Sequence, residues 1–449
     1  MAAPQKVPDA DSAWAAYEPS AARPWTLPLA GHLGRRAGLG WSWPQLSSAL
    51  ADGPKKAIDR LLRPSDADEF NRDRDRDEAA AIDPAGGELE TLQEWWLRRM
   101  IETPHPLLET MTLFWHNLLG VSAKRVENAR LVQQHVAMLR AHALGKFDQL
   151  LAKAVLDPAV LLGWNGEANR KARPSEAFAR NLLGVLGFEK GDYRDEDVRG
   201  IARAMTGWFV IKFRLRYIEH ERDTEEKDIF GRLGDWKPEN AVRIILQQPA
   251  ALKGIVRRLD RWLVSETQPA GDALLAPLVK SFAEGLDIAK LVETVLRSRR
   301  FFSPAAYRQK VKSPVEFAVG TIRALEALVP TRPLAKELGR QGQELGAPPT
   351  LAGWPGGPAW LDSFAATARA NLAAALFSNA EPYKGKLDPA AIVRRHGRGR
   401  PAADFLLDLF LQGDAGVQAR QAVTNLAKGE DAARLAAQAI VALPEYQLA

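Results

Sequence analysis

The chain has 449 residues, of which 46% are hydrophobic and 26% are charged. This composition is typical of a globular protein with a large core, and it excludes a wholly disordered or fibrous chain. There are no cysteines, which excludes a disulfide framework, an iron–sulfur cluster, a thiolate zinc site and a cysteine nucleophile. The net charge of +6 is small for this length, so it does not by itself indicate a nucleic-acid-binding protein.

The first 24 residues are predicted to be a polar lead-in. Pro4, Pro8 and Asp9 interrupt residues 1–20, which contain no apolar run of signal-peptide length. No stretch of the chain approaches the ~20 uncharged apolar residues that a membrane-spanning helix requires. We therefore expect no membrane span. The sequence leaves the compartment open, with the cytoplasm as the default expectation.

Apolar residues recur with a helical period along most of the chain. The predicted fold class is therefore mostly α, a large multi-helix globular body with one small β-hairpin. Ser122 and Gly145 are residue types that begin and end helices, so a single long helix is predicted between them. The other predicted helices are 88–103, 107–119, 146–156, 175–187, 195–205, 239–247, 250–265, 272–284, 287–298, 314–328, 359–378, 401–412, 415–427 and 430–441.

Three segments depart from the helical period. Trp208–Ile218 alternates apolar and basic residues, which predicts one arm of a short hairpin near 208–230. Arg63–Gly87 is rich in Asp and Arg, and it is predicted to be a mobile, solvated surface segment. The stretch 345–358 is rich in Gly and Pro but also apolar and tryptophan-bearing, so it is predicted to be a packed loop rather than a linker.

Many short motifs follow one another in a distinctive order along the chain. They are His32–Leu33, Arg35–Gly40, Thr112–Asn117, Leu139–Phe147, Asp157–Ala159, Phe178–Arg180, Thr206–Trp208, Lys312–Phe317 and Pro348–Gly357. In these residues the chain resembles the large bacterial family catalogued as Domain of Unknown Function 1800 (DUF1800). The resemblance covers roughly residues 25–380, which we expect to form one helical domain, followed by a C-terminal helical segment over 381–449. Because that family has no firmly established activity, the resemblance implies a domain identity and little chemistry.

The chain departs from the family pattern at several polar positions. Family members usually read Trp-His-Asn-His where this chain has Trp115–Leu118. They usually read Asn-Glu-Asn-Phe-Ala-Arg-Glu where it has Ser175–Asn181, and they carry an acid at the position of Gly184. If those polar groups form the active centre of the family, this protein is altered or inactive there.

The candidate catalytic residues are His116, His142, Glu176 and Arg180. His116 or His142 would act as a general base, Glu176 as an acid and Arg180 as a clamp for an anionic group. The alternative is structural: buried imidazoles that fix helix packing, and a Glu176–Arg180 pair whose four-residue spacing stabilises a helix only slightly. Convergence of the four residues on one cleft would favour the catalytic interpretation, and dispersal would favour the structural one.

We expect neither a tightly bound transition metal nor a cofactor. The chain lacks cysteine, and Leu118 stands where a second histidine of the family pattern would be. His135 and His142 lie two turns apart on the predicted helix, about 10.5 Å at 1.5 Å per residue, which is too far to chelate one metal as a pair.

The candidate ligand-binding residues are Trp208, Trp354, Trp360, Arg299 and Arg300. Tryptophans beside a glycine-rich backbone can stack on sugar rings, or they can anchor a long loop to the helical body. The segment 294–315 contains six bases, no acid and three aromatic residues, a pattern compatible with single-stranded nucleic acid or an acidic polysaccharide. We expect Phe301 and Phe302 to enter the core, so nucleic acid is not predicted as a partner, whereas an acidic polysaccharide stays open.

Two functional classes remain. The first is a binding or accessory protein that presents the unit 115–208 and the loop 348–360 to a partner. Proteins of the resembled family are frequently encoded beside a sulfatase-like family, so the resemblance implies a sulfatase-like protein as that partner. The second class is an enzyme that acts on an anionic or glycan-like substrate through the His/Glu/Arg site. The missing polar groups favour the first class.

Overall fold

Helices hold 60% of the chain in the computed structural model, which describes residues 9–65, 67–83 and 87–449. The mostly α fold class is thereby confirmed. The helices of the first half are α1 (Ala10–Trp14), α2 (Leu27–Ala37), α3 (Trp43–Leu62), α4 (Ala67–Ala81), α5 (Leu89–Glu102), α6 (Pro106–Leu119), α7 (Ala123–Val126), α8 (Ala129–His142), α9 (Phe147–Ala154), α10 (Pro158–Gly163), α11 (Glu176–Leu186) and α12 (Asp195–Ala204).

The second half continues the helical body. Its helices are α13 (Pro238–Leu246), α14 (Pro249–Leu263), α15 (Asp272–Ala283), α16 (Ile288–Arg297), α17 (Pro314–Ala324), α18 (Thr331–Arg340), α19 (Ser363–Leu376), α20 (Pro389–His396), α21 (Ala402–Leu411), α22 (Val417–Leu426) and α23 (Ala432–Ala442). Short 3₁₀ turns lie at Glu219–Glu221, Gly357–Trp360 and Pro444–Gln447. Within the described ranges, no helix combines the length and the apolar character that a membrane crossing needs.

The long helix predicted from Ser122 is wrong, because two helices, α7 and α8, occupy that stretch. Glu127 ends α7 in the left-handed conformation, with φ of 54°. Asn128 then begins α8, and its side-chain oxygen accepts a hydrogen bond from the Leu131 N–H at 3.0 Å. An asparagine in this position satisfies an end N–H that has no partner within the helix.

The segment 208–218 forms both arms of a hairpin, where one arm was predicted. Strand β1 (Trp208–Ile211) pairs antiparallel with β2 (Arg214–Tyr217). Lys212 and Phe213 join them in a two-residue turn with φ of 49° and 59°, as expected for a tight turn that matches the strand twist. The alternation of apolar and basic residues continues through the turn, so the sequence does not reveal where the turn lies. A second hairpin, β3 (Lys227–Ile229) and β4 (Arg232–Gly234), follows.

The charged stretch 63–87 was predicted to be irregular and solvated. The irregular conformation is wrong for residues 67–81, which form α4, although most of its residues are exposed or half-buried. Glu78 on α4 is only 2% exposed. Asp75 accepts a hydrogen bond from Arg99 of α5 at 2.5 Å. The acids of α4 therefore satisfy bases of the neighbouring helices. Residues 66 and 84–86 of this stretch lie outside the described residues.

The apolar faces of the helices form one continuous core that extends from Trp14 to Tyr446. Trp14 of α1 donates its indole N–H to the Leu274 carbonyl at 2.6 Å, although it belongs to the predicted polar lead-in, of which residues 1–8 lie outside the described residues. At the other end of the chain, Tyr446 packs on Phe317 of α17. The division of the chain at residue 380 stays a prediction.

Candidate functional site

The two candidate histidines occupy different environments. His116 of α6 is fully buried, and its ring centre lies 5.3 Å from that of Trp96 and 5.7 Å from that of Trp354. Burial, with a further contribution from His135, lowers the pKa of His116 to about 3, so the ring is neutral near neutral pH. His142 is half-buried at the end of α8. A substrate in solution has no direct access to His116.

Glu176 and Arg180 form an exposed ion pair on α11. Arg180 donates to Glu176 at 3.4 Å and to Asp195, at the start of α12, at 2.9 Å. All three side chains are between 44% and 66% exposed. The structure thus brings Glu176 and Arg180 together, as the helical spacing predicted, but on the surface and apart from the buried His116.

His116 and His135 form a buried pair, with ring centres 6.0 Å apart. Neither ring has a hydrogen-bond partner in the part of the chain that the structure describes. Nδ1 of His135 lies 3.5 Å from a carboxylate oxygen of Asp157. Among the described residues, no group of three or more potential metal ligands comes together. The absence of a bound metal from the protein stays a prediction.

The candidate ligand-binding residues separate into three places. Trp208 is half-buried in the first hairpin, where it packs on Tyr217 with ring centres 5.0 Å apart. Arg300 is buried and makes two hydrogen bonds to Asp260, at 3.1 and 3.3 Å, while the neighbouring Arg299 is half-buried. Trp354 and Trp360, each 5% exposed, line one common cleft.

Four of the six bases of the segment 294–315 are engaged by acids. The pairs are Arg297 with Asp59, Arg300 with Asp260, Arg308 with Asp414 and Lys310 with Glu316. The expectation that Phe301 and Phe302 enter the core is confirmed, since they are 0% and 7% exposed. This arrangement leaves few of the bases free for phosphate contacts, and the predicted lack of nucleic-acid binding stays a prediction.

The cleft that contains Trp354 and Trp360 has a volume of about 390 Å³. It lies between α6, α14 and the loop before α19, and we call it the Trp354 cleft. Residues of three of the ordered motifs, 112–117, 312–317 and 348–357, meet in its wall. The lining residues are Phe114, Asn117, Leu118, Arg258, Arg261, Trp262, Glu266, Lys310, Ser313, Glu316, Ala352, Trp354, Pro355, Gly356, Gly357, Pro358 and Trp360.

Asn117 fixes the loop that carries Trp354. Its side-chain oxygen accepts a hydrogen bond from the Trp354 backbone N–H at 2.7 Å. Gly353 has φ of 82°, and a Cβ at this position would lie 2.1 Å from the same Asn117 oxygen. Only glycine therefore permits this approach of the loop to the end of α6. The packed loop expected from the sequence owes its position to this contact.

Two carboxyl groups with opposite pKa shifts line the cleft. Burial raises the pKa of Glu266, the negative charge of Glu316 adds to the rise, and Lys310 opposes it. Burial would raise the pKa of Glu316 too, but the charge and hydrogen bond of Lys310 and the Ser313 N–H lower it on balance. The Lys310 ammonium lies 2.6 Å from Glu316. Environments that push two pKa values apart in this way are typical of acid–base pairs.

The rim of the cleft carries two arginines without a carboxylate partner. Arg258 donates to the Gly184 carbonyl at 3.2 Å, and Arg261 is exposed. Within the described residues, neither guanidinium has a carboxylate within 4.0 Å. Burial lowers the pKa of Arg258, and Arg257 and Arg261 lower it further.

Two of the departures from the family pattern adjoin this cleft. Leu118, where the resemblance implies a histidine, is in its wall. Gly184, where the resemblance implies an acid, presents only its backbone carbonyl to Arg258.

Three polar atoms of cleft residues are buried without a hydrogen-bond partner among the residues described. They are the indole nitrogens of Trp262 and Trp354 and one carboxyl oxygen of Glu266. A Cβ added at Gly356 or Gly357 would lie 3.4 or 3.6 Å from the Glu266 carboxyl, so this carboxyl is close to the loop. Buried polar atoms in folded proteins nearly always have partners, so these three atoms are exceptions among the residues of the cleft.

Sequence reasoning did not select Glu266, Arg258 or Arg261. Arg258 and Arg261 lie three residues apart on α14 and therefore share a helix face, but many surface arginines do so. Glu316 belongs to the motif Lys312–Phe317, but it was not predicted to be a site residue. The signal that was available is the motif Lys312–Phe317, whose first turn forms one wall of the cleft.

The family model described as "Protein of unknown function (DUF1800)" matches residues 32–448, nearly the whole chain. No curated protein and no solved structure matches the chain.

Proposed function

The chain belongs to the DUF1800 family of proteins of unknown function, and we propose that this member binds a small anionic, hydroxyl-rich ligand of the sugar-acid class in the Trp354 cleft. The observation that carries the proposal is the pair Arg258 and Arg261, which have no carboxylate partner among the described residues, at the rim of a cleft with unpartnered polar atoms inside. The proposal keeps the binding class of function and assigns it to this cleft, which includes Trp354 and Trp360 of the predicted loop 348–360. It does not use His116, His142, Glu176 or Arg180, the residues of the predicted enzyme class.

The size of the cleft supports a small ligand. Small-molecule sites in proteins usually have volumes of about 300–1,000 Å³, and this cleft has about 390 Å³. A groove of similar volume, about 400 Å³, lies next to it beyond Gly120. There, however, Lys124 is already paired with Glu344, so that groove offers less free charge.

The charge of the cleft supports an anionic ligand. Lys310 and Glu316 neutralise each other, and the one remaining carboxyl group, Glu266, is outnumbered by Arg258 and Arg261. Arg258 and Arg261 then leave the rim positive. A guanidinium group binds a carboxylate, sulfate or phosphate through two parallel hydrogen bonds.

The interior supports hydroxyl groups as further recognition elements. The indole N–H groups of Trp262 and Trp354 are donors, and the free oxygen of Glu266 is an acceptor when ionised or a donor when protonated. Trp354 and Trp360 are each only 5% exposed, so they offer little surface for stacking. Recognition by charge and hydrogen bonds therefore replaces the stacking that the sequence suggested.

An accessory role fits this ligand class. A protein that holds an acidic glycan could present it to a sulfatase-like protein, the partner that the resemblance implies. No contact in the described structure identifies that partner, and it stays a prediction. Trp208, Arg299 and Arg300 lie outside the Trp354 cleft and have no part in this proposal.

The proposal predicts selective binding of anionic oligosaccharides. In isothermal titration calorimetry, a glucuronate-terminated or sulfated disaccharide should bind, and the uncharged counterpart should not. Arg258→Gln should weaken binding by roughly 10–100-fold, because a hydrogen bond to a charged group is worth about 1.5–3 kcal/mol. Comparison of the carboxylate and sulfate ligands identifies the preferred anionic group.

Arg257→Gln is the matched control for this experiment. Arg257 is the neighbouring residue on α14, but it pairs with Asp272 at 2.6 Å and does not line the cleft. Its loss should leave the affinity unchanged. Equal binding of the uncharged sugar, or full affinity in Arg258→Gln, would reject the proposal.

A second candidate function, acid–base catalysis on the bound ligand, is favoured by the opposite pKa shifts of Glu266 and Glu316. Glu266 would donate the proton and Glu316 would accept one. This candidate function retains the predicted enzyme class with glycan-like substrates. It assigns catalysis to Glu266 and Glu316 instead of the His/Glu/Arg site. Cleavage of a chromogenic aryl glucuronide that Glu266→Gln abolishes, without loss of ligand affinity, would support it. Binding of the glucuronide without its cleavage would favour the first candidate function, ligand binding alone.

The raised pKa of Glu266 predicts a pH-dependent gain in stability for Glu266→Gln. Below about pH 4, the wild-type carboxyl is protonated in both the folded and the unfolded chain, so the two proteins should melt alike. As the pH rises through the raised pKa of the folded protein, the wild type loses stability that the glutamine variant keeps. Each unit of raised pKa corresponds to about 1.4 kcal/mol.

Melting curves from pH 4 to pH 8 measure this difference. Glu284→Gln, a change at an exposed acid after α15, controls for general charge effects. A constant difference between Glu266→Gln and wild type across this range would contradict the assigned environment of Glu266.

A further inference from the structure

A small second cavity lies where α2, α17 and the chain after α21 meet. Its volume is about 30 Å³. Since a buried water needs roughly 10–15 Å³, this cavity has room for one or two occupants of that size. Its wall includes Arg35 and Gly40 of one motif and Lys312 and Glu316 of another.

Arg35 and Lys312 bring two buried basic groups to this cavity. They are 7% and 5% exposed. Arg35 donates through Nη1 to the amide oxygen of Gln412, whereas its Nε and Nη2 have no partner in the described part of the chain. The Lys312 Nζ lies 3.4 Å from the centre of the Tyr446 ring. No carboxylate of the described residues lies within 4.0 Å of either group.

The acids nearest to the cavity are already engaged by other groups. Glu316 accepts from Lys310 at 2.6 Å through one oxygen and from the Ser313 N–H at 2.8 Å through the other. Asp414 accepts from Arg308 at 2.8 Å and from the Tyr307 hydroxyl. Arg35 and Lys312 therefore remain without a counter-ion of their own.

We propose that this cavity binds a halide ion, chloride in a physiological medium, between the guanidinium group of Arg35 and the ammonium group of Lys312. A halide matches the cavity in size, because it is one atom slightly larger than a water molecule. Phosphate and sulfate have five heavy atoms and exceed the space of one or two waters. The halide supplies the negative charge that the protein side chains lack.

The protonation states of the two side chains agree with a missing anion. Burial lowers the pKa of Lys312 well below its ordinary value, and the charges of Arg35 and Arg308 lower it further. Burial and Arg308 lower the pKa of Arg35 to about 9, although Tyr307 and the more distant Asp414 oppose this shift, so Arg35 stays charged at neutral pH. A buried charge without a partner is unfavourable, and a bound anion removes this penalty for both groups.

The position of the cavity predicts what the ion does. Arg35 lies on α2, Lys312 directly precedes α17, and Gln412 follows α21. An anion shared by Arg35 and Lys312 joins two of these elements, and Gln412 links the third through Arg35. We therefore expect the ion to stabilise the packing of the two motifs, a role separate from ligand binding in the Trp354 cleft.

The test is a melting experiment with the full chain in sodium bromide, chloride or methanesulfonate at constant ionic strength. The melting temperature of the wild type should rise with halide concentration and reach a plateau, as for a ligand that binds only the folded state. Lys312→Met should show no plateau and, in methanesulfonate, should melt at or above the wild-type temperature. Lys336→Met, the same change at an exposed residue of α18, should keep the halide response.

Crystals grown in sodium bromide provide an independent measurement. An anomalous peak between Arg35 and Lys312 is expected at the bromine absorption edge. No peak there, or an unchanged halide response in Lys312→Met, overturns the proposal. Because neither measurement uses a sugar ligand, the outcome is independent of the function proposed for the Trp354 cleft.

Discussion

Replacement of Arg140 by methionine should lower the free energy of unfolding by about 3–5 kcal/mol, the usual effect of removing one partner from a buried ion pair. Arg140 of α8 is 4% exposed and donates to Glu109 of α6 at 2.7 Å. Glu109 also accepts from the Trp96 indole at 3.1 Å, and it lies 2.9 Å from Arg99. Glu78, Arg99, Glu109 and Arg140 form a buried cluster of charged side chains. Arg140→Met would leave its two acids with one arginine, Arg99.

Arg180→Met is the matched control, because it makes the same chemical change at an exposed ion pair. Arg180 contacts Glu176 and Asp195 on the surface, and exposed pairs contribute about 1 kcal/mol or less. Urea denaturation at neutral pH measures both variants. Similar losses in the two would show that the cluster around Glu109 is more hydrated than its burial indicates.

The helical architecture was predictable because helix signals are local. Apolar periodicity placed α5, α6, α11 and α14 within a few residues of their ends. The failure at residues 67–81 comes from information that is not local. Nothing in the acidic and basic alternation of 67–81 reveals that Glu78 would be buried beside Arg99 and Arg140, because that environment is made by two other helices.

The candidate site was predictable only as a set of segments. The motifs around Asn117, Glu316 and Trp354 were recognised, and these residues do line one cleft. The individual site residues were not recognised. In the sequence, Arg258 and Glu266 look like other charged residues, and only the fold brings them to the cleft. His116 attracted attention as a titratable residue, yet it is fully buried and packs against Trp354 rather than lining the cleft itself.

Gly353→Ala should have the largest effect of any single-methyl change at the cleft. Gly353 has φ of 82°, and its new Cβ would lie 2.1 Å from the Asn117 side-chain oxygen and 2.3 Å from the Asn117 carbonyl oxygen. The backbone strain costs about 1–2 kcal/mol. Displacement of Asn117 also removes the acceptor of the Trp354 N–H, which adds about 1–3 kcal/mol.

Gly342→Ala separates the effect of backbone strain from the effect of the Cβ contact with Asn117. Gly342 also has a positive φ, of 88°, but a Cβ added there would meet no atom within 4 Å. We expect this control to lose only the strain contribution and to keep full ligand affinity. Gly353→Ala should lose more stability and, because Trp354 and Gly356 move with the loop, most of its affinity for an anionic disaccharide. Calorimetric titration of both variants makes the comparison. If Gly353→Ala binds as well as Gly342→Ala, the loop does not shape the ligand site, and the binding function must be assigned to another surface of the chain.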